Sequence, residues 1–301
     1  MIQKVTRHFS AEFGQNGYFD WFGTLRNTER LRSFISTSRS RYDFGYGWHC
    51  NMSISELCSK FKFLRILSLR CCFDIKEVPD SVSNLEHLRS LDLSGTAIRK
   101  LSENICSLSL LQILKLNNCA YLVELPSNLY LLTNLCRLEL RKTKVRKVPW
   151  HLGKLKNLKV VMDSFNVGHG RELGIQRLGE LNLDGSLSIG ELQNIENSRD
   201  ALEADLKNKL LLVDLTLRWG RNGNSIDSKK EEEVIENLQP SENLMDLSIC
   251  NYGGNRFPNW FLENSLWNMV SLRLEKCESC HRLPPLGLLP FLKVLLSNLI
   301  G

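Results

Sequence analysis

The chain has 301 residues, 43% of them apolar, and a formal charge of +6. That is enough apolar content for a large core, and too little basic excess for a domain that wraps nucleic acid. No run reaches the roughly 18 uninterrupted apolar residues of a membrane helix, and the opening Met1-Ile2-Gln3-Lys4-Val5-Thr6-Arg7-His8 holds no apolar secretion core. These features predict a cytoplasmic or nuclear protein whose ten cysteines are reduced, with Asn51-Met52-Ser53 a chance glycosylation match.

In chain order, residues 1–55 read as an N-terminal segment, with an early strand at Leu31-Arg32-Ser33-Phe34-Ile35 and a mobile loop over 36–52. From 56 to 166 one spacing takes over. L-x-x-L-x-L occurs as Leu64-Leu67-Leu69, Leu88-Leu91-Leu93, Leu111-Leu114-Leu116 and Leu135-Leu138-Leu140, with a looser fifth copy at Leu158-Val161-Asp163. The first leucines lie 24, 23, 24 and 23 residues apart. A fixed period in this range is the signature of a leucine-rich repeat. Because side chains alternate along a strand, the last two leucines of each copy point into a shared core and the residues around them point to the other face.

Position nine of each copy is a corner where a small polar side chain turns in to satisfy backbone groups, and it reads Cys72, Thr96, Cys119, Thr143 and Asn166. Val78-Pro79, Leu125-Pro126 and Val148-Pro149 recur further on, each followed three residues later by Val82, Leu129 or Leu152. Proline suits the irregular outer side of a coil, where no ladder hydrogen bond is needed.

Residues 167–301 read as irregular repeats with insertions and a degraded last copy, Leu292-Leu295-Ser297, so no proper capping repeat is expected. Inward pairs fall at Leu187/Ile189, Leu215/Leu217, Leu247/Ile249 and Leu272/Leu274. Residues 200–212 look like a short outer helix, and 221–233 like an exposed loop before the helical pattern Val234-Ile235-Leu238. The fold class that follows is α/β: a leucine-rich-repeat solenoid, or horseshoe, with a parallel sheet on its concave face and irregular, 3-10 or short helical convex segments.

Two motifs suggest chemistry. Cys277-Glu278-Ser279-Cys280-His281 matches the c-type haem pattern C-x-x-C-H, but Cys277 falls on a corner position and no second cysteine pair stands near for zinc. No G-x-S-x-G elbow is present, so neither an enzyme nor a metal protein is expected. The exposed strand positions carry the binding expectation: Ile66, Ser68 and Arg70; Ser90, Asp92 and Ser94; Ile113, Lys115 and Asn117; Arg137, Glu139 and Arg141. Later rows are Asp214, Thr216 and Arg218, then Asp246 and Ser248, then Ser271, Arg273 and Glu275. Residues 141–147 form a basic run that is either a solvated face or an attraction for an acidic partner. Without interleaved aromatics it does not read as a nucleic-acid site.

The chain as a whole resembles the leucine-rich-repeat region of plant nucleotide-binding leucine-rich-repeat disease-resistance proteins, in particular the coiled-coil class. The resemblance rests on Arg7-His8-Phe9-Ser10, Phe19-Asp20-Trp21-Phe22, the alternating Cys and Thr corners, Gly185-Ser186-Leu187-Ser188-Ile189, Phe257-Pro258-Asn259-Trp260 and Arg282-Leu283-Pro284-Pro285-Leu286-Gly287. It implies plant innate immunity: recognition of a pathogen effector or an effector-modified host protein, and restraint of a nucleotide-binding switch domain. Full-length members of that family bind ADP or ATP through a domain with a phosphate loop. No G-x-x-x-x-G-K-[ST] occurs here, so no cofactor is expected in this chain. The alternative is a generic intracellular leucine-rich-repeat scaffold for protein–protein interaction.

Overall fold

Each L-x-x-L-x-L copy becomes one very short strand, because the backbone must turn away at the corner as soon as its leucines are seated. The computed structural model describes residues 6–13, 17–25, 28–38, 47–50, 53–220, 227–262, 266–280 and 282–298. The chain divides into two compact units, Met1–Val160 and Val161–Gly301.

The first nine strands are β1 (His8–Phe13), β2 (Gly17–Phe19), β3 (Ser33–Ser38), β4 (Trp48–Cys50), β5 (Ile66–Ser68), β6 (Ser90–Asp92), β7 (Ile113–Lys115), β8 (Arg137–Glu139) and β9 (Lys159–Val161). The main sheet runs β1-β3-β5-β6-β7-β8-β9. The pairs from β1–β3 to β7–β8 are parallel and in register. Phe34, Leu67, Leu91, Leu114 and Leu138 therefore form one row, and all are buried. Leu69, Leu93, Leu116 and Leu140 form a second buried set. Each such side chain contributes about 1.5 to 3 kcal/mol of burial, and a single coil could not realise it without its neighbours.

The corners behave as their chemistry requires. The Thr96 and Thr143 hydroxyls donate to the carbonyls of Leu93 at 2.8 Å and Leu140 at 2.9 Å, and the Cys119 thiol donates to Leu93 at 3.2 Å. Asn166 departs from this expectation: it is exposed and lies in a strand of its own, because the chain re-forms extended structure there in place of a corner. Opposite the sheet, the Pro79 and Pro149 segments lead into 3-10 turns at Asp80–Asn84 and Leu152–Lys154, and Leu129–Leu131 forms a third; Val82, Leu129 and Leu152 are buried in them.

The N-terminal segment is more ordered than the sequence predicts. β1 and β2 carry no leucine period and are not foreseen, yet β1 opens the main ladder. Within the expected loop over 36–52, β3 continues to Ser38 and β4 pairs in parallel with β2; residues 39–46, 51 and 52 lie outside the described set. Aromatic packing supplies what leucines supply elsewhere: Phe13 stacks on Trp48 with centroids 4.3 Å apart, and Phe9, Phe19 and Phe34 pack around them. Helix α1 (Trp21–Thr24) follows β2, and α2 (Ile54–Lys60) starts at a capping box between Ser53 and Glu56.

In the second unit the strands are β10 (Ser164–Asn166), β11 (Asn182–Leu183), β12 (Gly185–Gly190), β13 (Leu212–Arg218), β14 (Asp246–Cys250), β15 (Ser271–Glu275) and β16 (Val294–Asn298). Its parallel sheet runs β10-β12-β13-β14-β15-β16, and the four expected inward pairs are buried. Leu295 lies in register with Leu272 but stays exposed on the outermost strand. The outer helix expected over 200–212 is shorter: one turn, α3 (Asp200–Glu203), then a 3-10 turn at Leu206–Asn208, with Leu202 and Leu210 exposed. The loop expected over 221–233 ends sooner, because the Asp227 carboxylate caps α4 (Ser228–Asn237) at the Lys230 N–H. Residues 221–226 lie outside the described set.

Candidate protein-binding face

In the first unit the face opposite the leucines is a grid set by strand register. Asp92, Lys115 and Glu139 are direct neighbours across β6, β7 and β8, and Ile113 stands beside Arg137. Glu139 organises its surroundings. Arg137 Nε donates to it at 2.7 Å, Lys115 Nζ stands 3.7 Å away, and the Asn117 amide donates to its second oxygen. Asn117 in turn accepts the Arg141 N–H at 2.9 Å.

The expectation that every alternate strand residue is exposed therefore needs correction. Glu139 is 9% exposed, and Ser68 and Ser94 are buried. Short strands bring adjacent rows within side-chain reach, so a carboxylate between two cations folds down onto them. Ser68 turns its hydroxyl to the Ser36 carbonyl at 3.4 Å, and the Ser94 N–H is taken by Asp92 at 2.9 Å. Burial alone would raise the Glu139 pKa, but hydrogen bonds from Arg137 and Asn117, with the Lys115 and Arg137 charges, hold it below its ordinary value. Arg137 and Lys115 are thus partly neutralised, whereas Arg70 and Arg141 stand exposed at the strand ends.

The basic run is only marginally part of this face. Arg141 follows the end of β8, and the chain then turns: Thr143 is a corner, Lys144 N donates to the Leu122 carbonyl at 2.9 Å, and the Lys147 backbone pairs in parallel with that of Glu124.

In the second unit, Asp214 and Asp246 are register partners. Burial, then the Asp246 charge, raises the Asp214 pKa against a hydrogen bond from Ser186. Thr216, Ser248 and Arg273 form the next row on this face and Arg218, Cys250 and Glu275 the one after, and Arg273 pairs with Glu275 at 3.1 Å. The grid thus carries an acidic pair at one end of these strands and mixed charge at the other.

Burial pushes Cys58 and Cys106 up to about 12, and Cys119 to about 11. Cys277 and Cys280 donate to separate carbonyls, of Ile249 and Gly254, and His281 lies outside the described residues. Among the described residues no helix is long and apolar enough to cross a membrane.

Residues 175–299 match the family model described as R13L1/DRL21 LRRs. Over 241 residues the chain is 46% identical to disease resistance protein RGA1 of Solanum bulbocastanum, an alignment covering 80% of this chain and 24% of that protein. These repeats are similar to those of plant disease-resistance proteins. A disease-resistance protein of Arabidopsis thaliana, RPP13-like protein 1, is 39% identical over 290 residues, 93% of this chain and 27% of the relative. The chain thus spans about a quarter of the length of these two relatives. The backbone resembles an internalin from Listeria monocytogenes with a TM-score of 0.56, at 17% identity, over 98% of this chain and 88% of that one, which bears on fold alone.

Proposed function

We propose that this chain is the sensing part of a plant immune receptor, acting in the cytoplasm by binding and not by catalysis. Its open sheet faces contact a pathogen effector or an effector-modified host protein, and also restrain the nucleotide-binding switch domain of the full-length receptor. ADP or ATP belongs to that domain. The observation that carries the reading is the charged grid over a repeating leucine core: Glu139 orients Arg137 and Lys115 while Arg70 and Arg141 stay exposed. Such a surface can vary from row to row without disturbing the fold, and it attracts an acidic partner.

The test reverses only the exposed charges. Reversing Lys115 and Arg137 as well would break the Glu139 pairing and confuse folding with binding. The variant Arg70→Glu/Arg141→Glu is expected to keep its melting temperature and to lose about tenfold in affinity for a co-expressed nucleotide-binding domain or a cognate effector. Unchanged capture of both would overturn the proposal. Failure of the unmodified chain to co-purify with the nucleotide-binding domain would favour a generic scaffold.

A further inference from the structure

Cys50, Cys72 and Asp74 meet where β4 runs beside the corner that follows β5. Backbone pairing brings them there: Trp48 bridges Cys72, its N–H donates to the Cys71 carbonyl at 3.0 Å, and Phe73 N donates to the Trp48 carbonyl at 3.1 Å. The Trp48 indole donates to the Arg70 carbonyl at 2.8 Å and locks the strand in place. Two residues on, the Cys50 N–H donates to Asp74 Oδ2 at 2.9 Å. The two sulfurs stand 3.7 Å apart, and the donor atoms of all three residues lie within 4.8 Å of one another.

Two thiols and a carboxylate are ligands that zinc accepts together. Sulfurs each about 2.3 Å from a tetrahedral zinc are about 3.8 Å apart, so Cys50 and Cys72 already have the required spacing. Two thiols in simple contact would show the same separation, and the carboxylate is what separates the readings. Asp74 reaches the pair from the solvent side, and its other oxygen is bound by His49 Nδ1 at 3.0 Å. Metal-ligating carboxylates are held by such outer hydrogen bonds. Cys72 is buried, Cys50 half-buried and Asp74 exposed, which leaves an approach for an ion from solvent.

We infer that Cys50, Cys72 and Asp74 form a zinc site, with His49 orienting the carboxylate and water as the fourth ligand. Binding converts both thiols to thiolates and releases two protons to solvent. The ion ties β4, and through it β2, to the first leucine-rich coil. It would thus stabilise the β2–β4 pair, which forms a sheet of its own beside the main ladder.

The test uses the full chain, reduced and metal-free, titrated with Co²⁺ and then Zn²⁺. One equivalent of cobalt is expected, with thiolate-to-cobalt charge transfer and the intense visible bands of tetrahedral geometry, both bleached by zinc. Cys50→Ser should lose the charge-transfer band, and His49→Ala should weaken binding about 10- to 100-fold. Cys136→Ser, at an exposed cysteine elsewhere, should change nothing. Circular dichroism checks that each variant folds, and Asp74→Asn, at an exposed position, serves if Cys50→Ser does not. The absence of a sulfur-to-cobalt band, a band undiminished in both Cys50→Ser and Asp74→Asn, or thiols that close to a disulfide without taking up metal would each overturn the inference.

Discussion

Glu139 occupies a strand position that alternation assigns to solvent, yet it is nearly buried under its own neighbours. Its lowered pKa makes it a pH-dependent contributor to stability. A carboxylate whose folded value lies below its unfolded value stabilises fully above the ordinary value of 4.5, and loses that contribution as pH falls through the folded value. Glu139→Gln keeps the shape and removes the charge, so it should cost roughly 1 to 3 kcal/mol at pH 7. The gap in melting temperature from the unmodified chain should hold above pH 4.5 and close only as pH falls below it, through the lowered folded value. A gap that stayed constant with pH would show that the Arg137, Lys115 and Asn117 contacts contribute nothing electrostatic.

At the scale of the element, what repeats is a backbone shape as well as a leucine. The residue before the corner is left-handed in coil after coil: Cys71, Gly95, Asn118 and Lys142 in the first unit, Asn251 and Lys276 in the second. Its N–H reaches the next coil, as from Cys71 to Ser94, Gly95 to Asn117 and Asn118 to Arg141, at 2.7 to 2.8 Å. The left-handed turn therefore extends the ladder beyond each three-residue strand. Gly95 meets this demand without strain, and a Cβ there would stand 2.9 Å from Cys71 Sγ. Gly95→Ala should cost about 1 to 2 kcal/mol in chemical denaturation, and Gly95→Asn less, since asparagine tolerates this region. Equal losses would point to crowding against Cys71 as the whole cause. The side chains at these positions share no chemistry, so a reading of residue types could not find them.

At the scale of the whole molecule, stability is passed from coil to coil. Leu114 is fully buried between Leu91 and Leu138 in its row. Leu114→Ala should cost about 2 to 5 kcal/mol through the cavity it leaves. Because each coil contacts only its neighbours, hydrogen exchange should quicken first in β6 and β8. An unchanged melting temperature would contradict the inward row, and uniform acceleration across the unit would contradict nearest-neighbour coupling.

The leucine period, the parallel sheet, the inward pairs and most corners were legible in the sequence, because burial forces the same residue type to return whenever the chain completes a coil. The regularity also exposed the candidate face, as the residues between the leucines. Three features depended on tertiary structure. β1 and β2 are held by aromatic packing among residues with no common spacing. The Glu139 cluster and the Cys50–Cys72–Asp74 group join residues 22 to 24 positions apart in the chain, and their contacts depend on how neighbouring coils align side by side. A sequence announces what every coil must bury; which polar groups touch between coils is set by register and side-chain reach, and only the folded chain decides those.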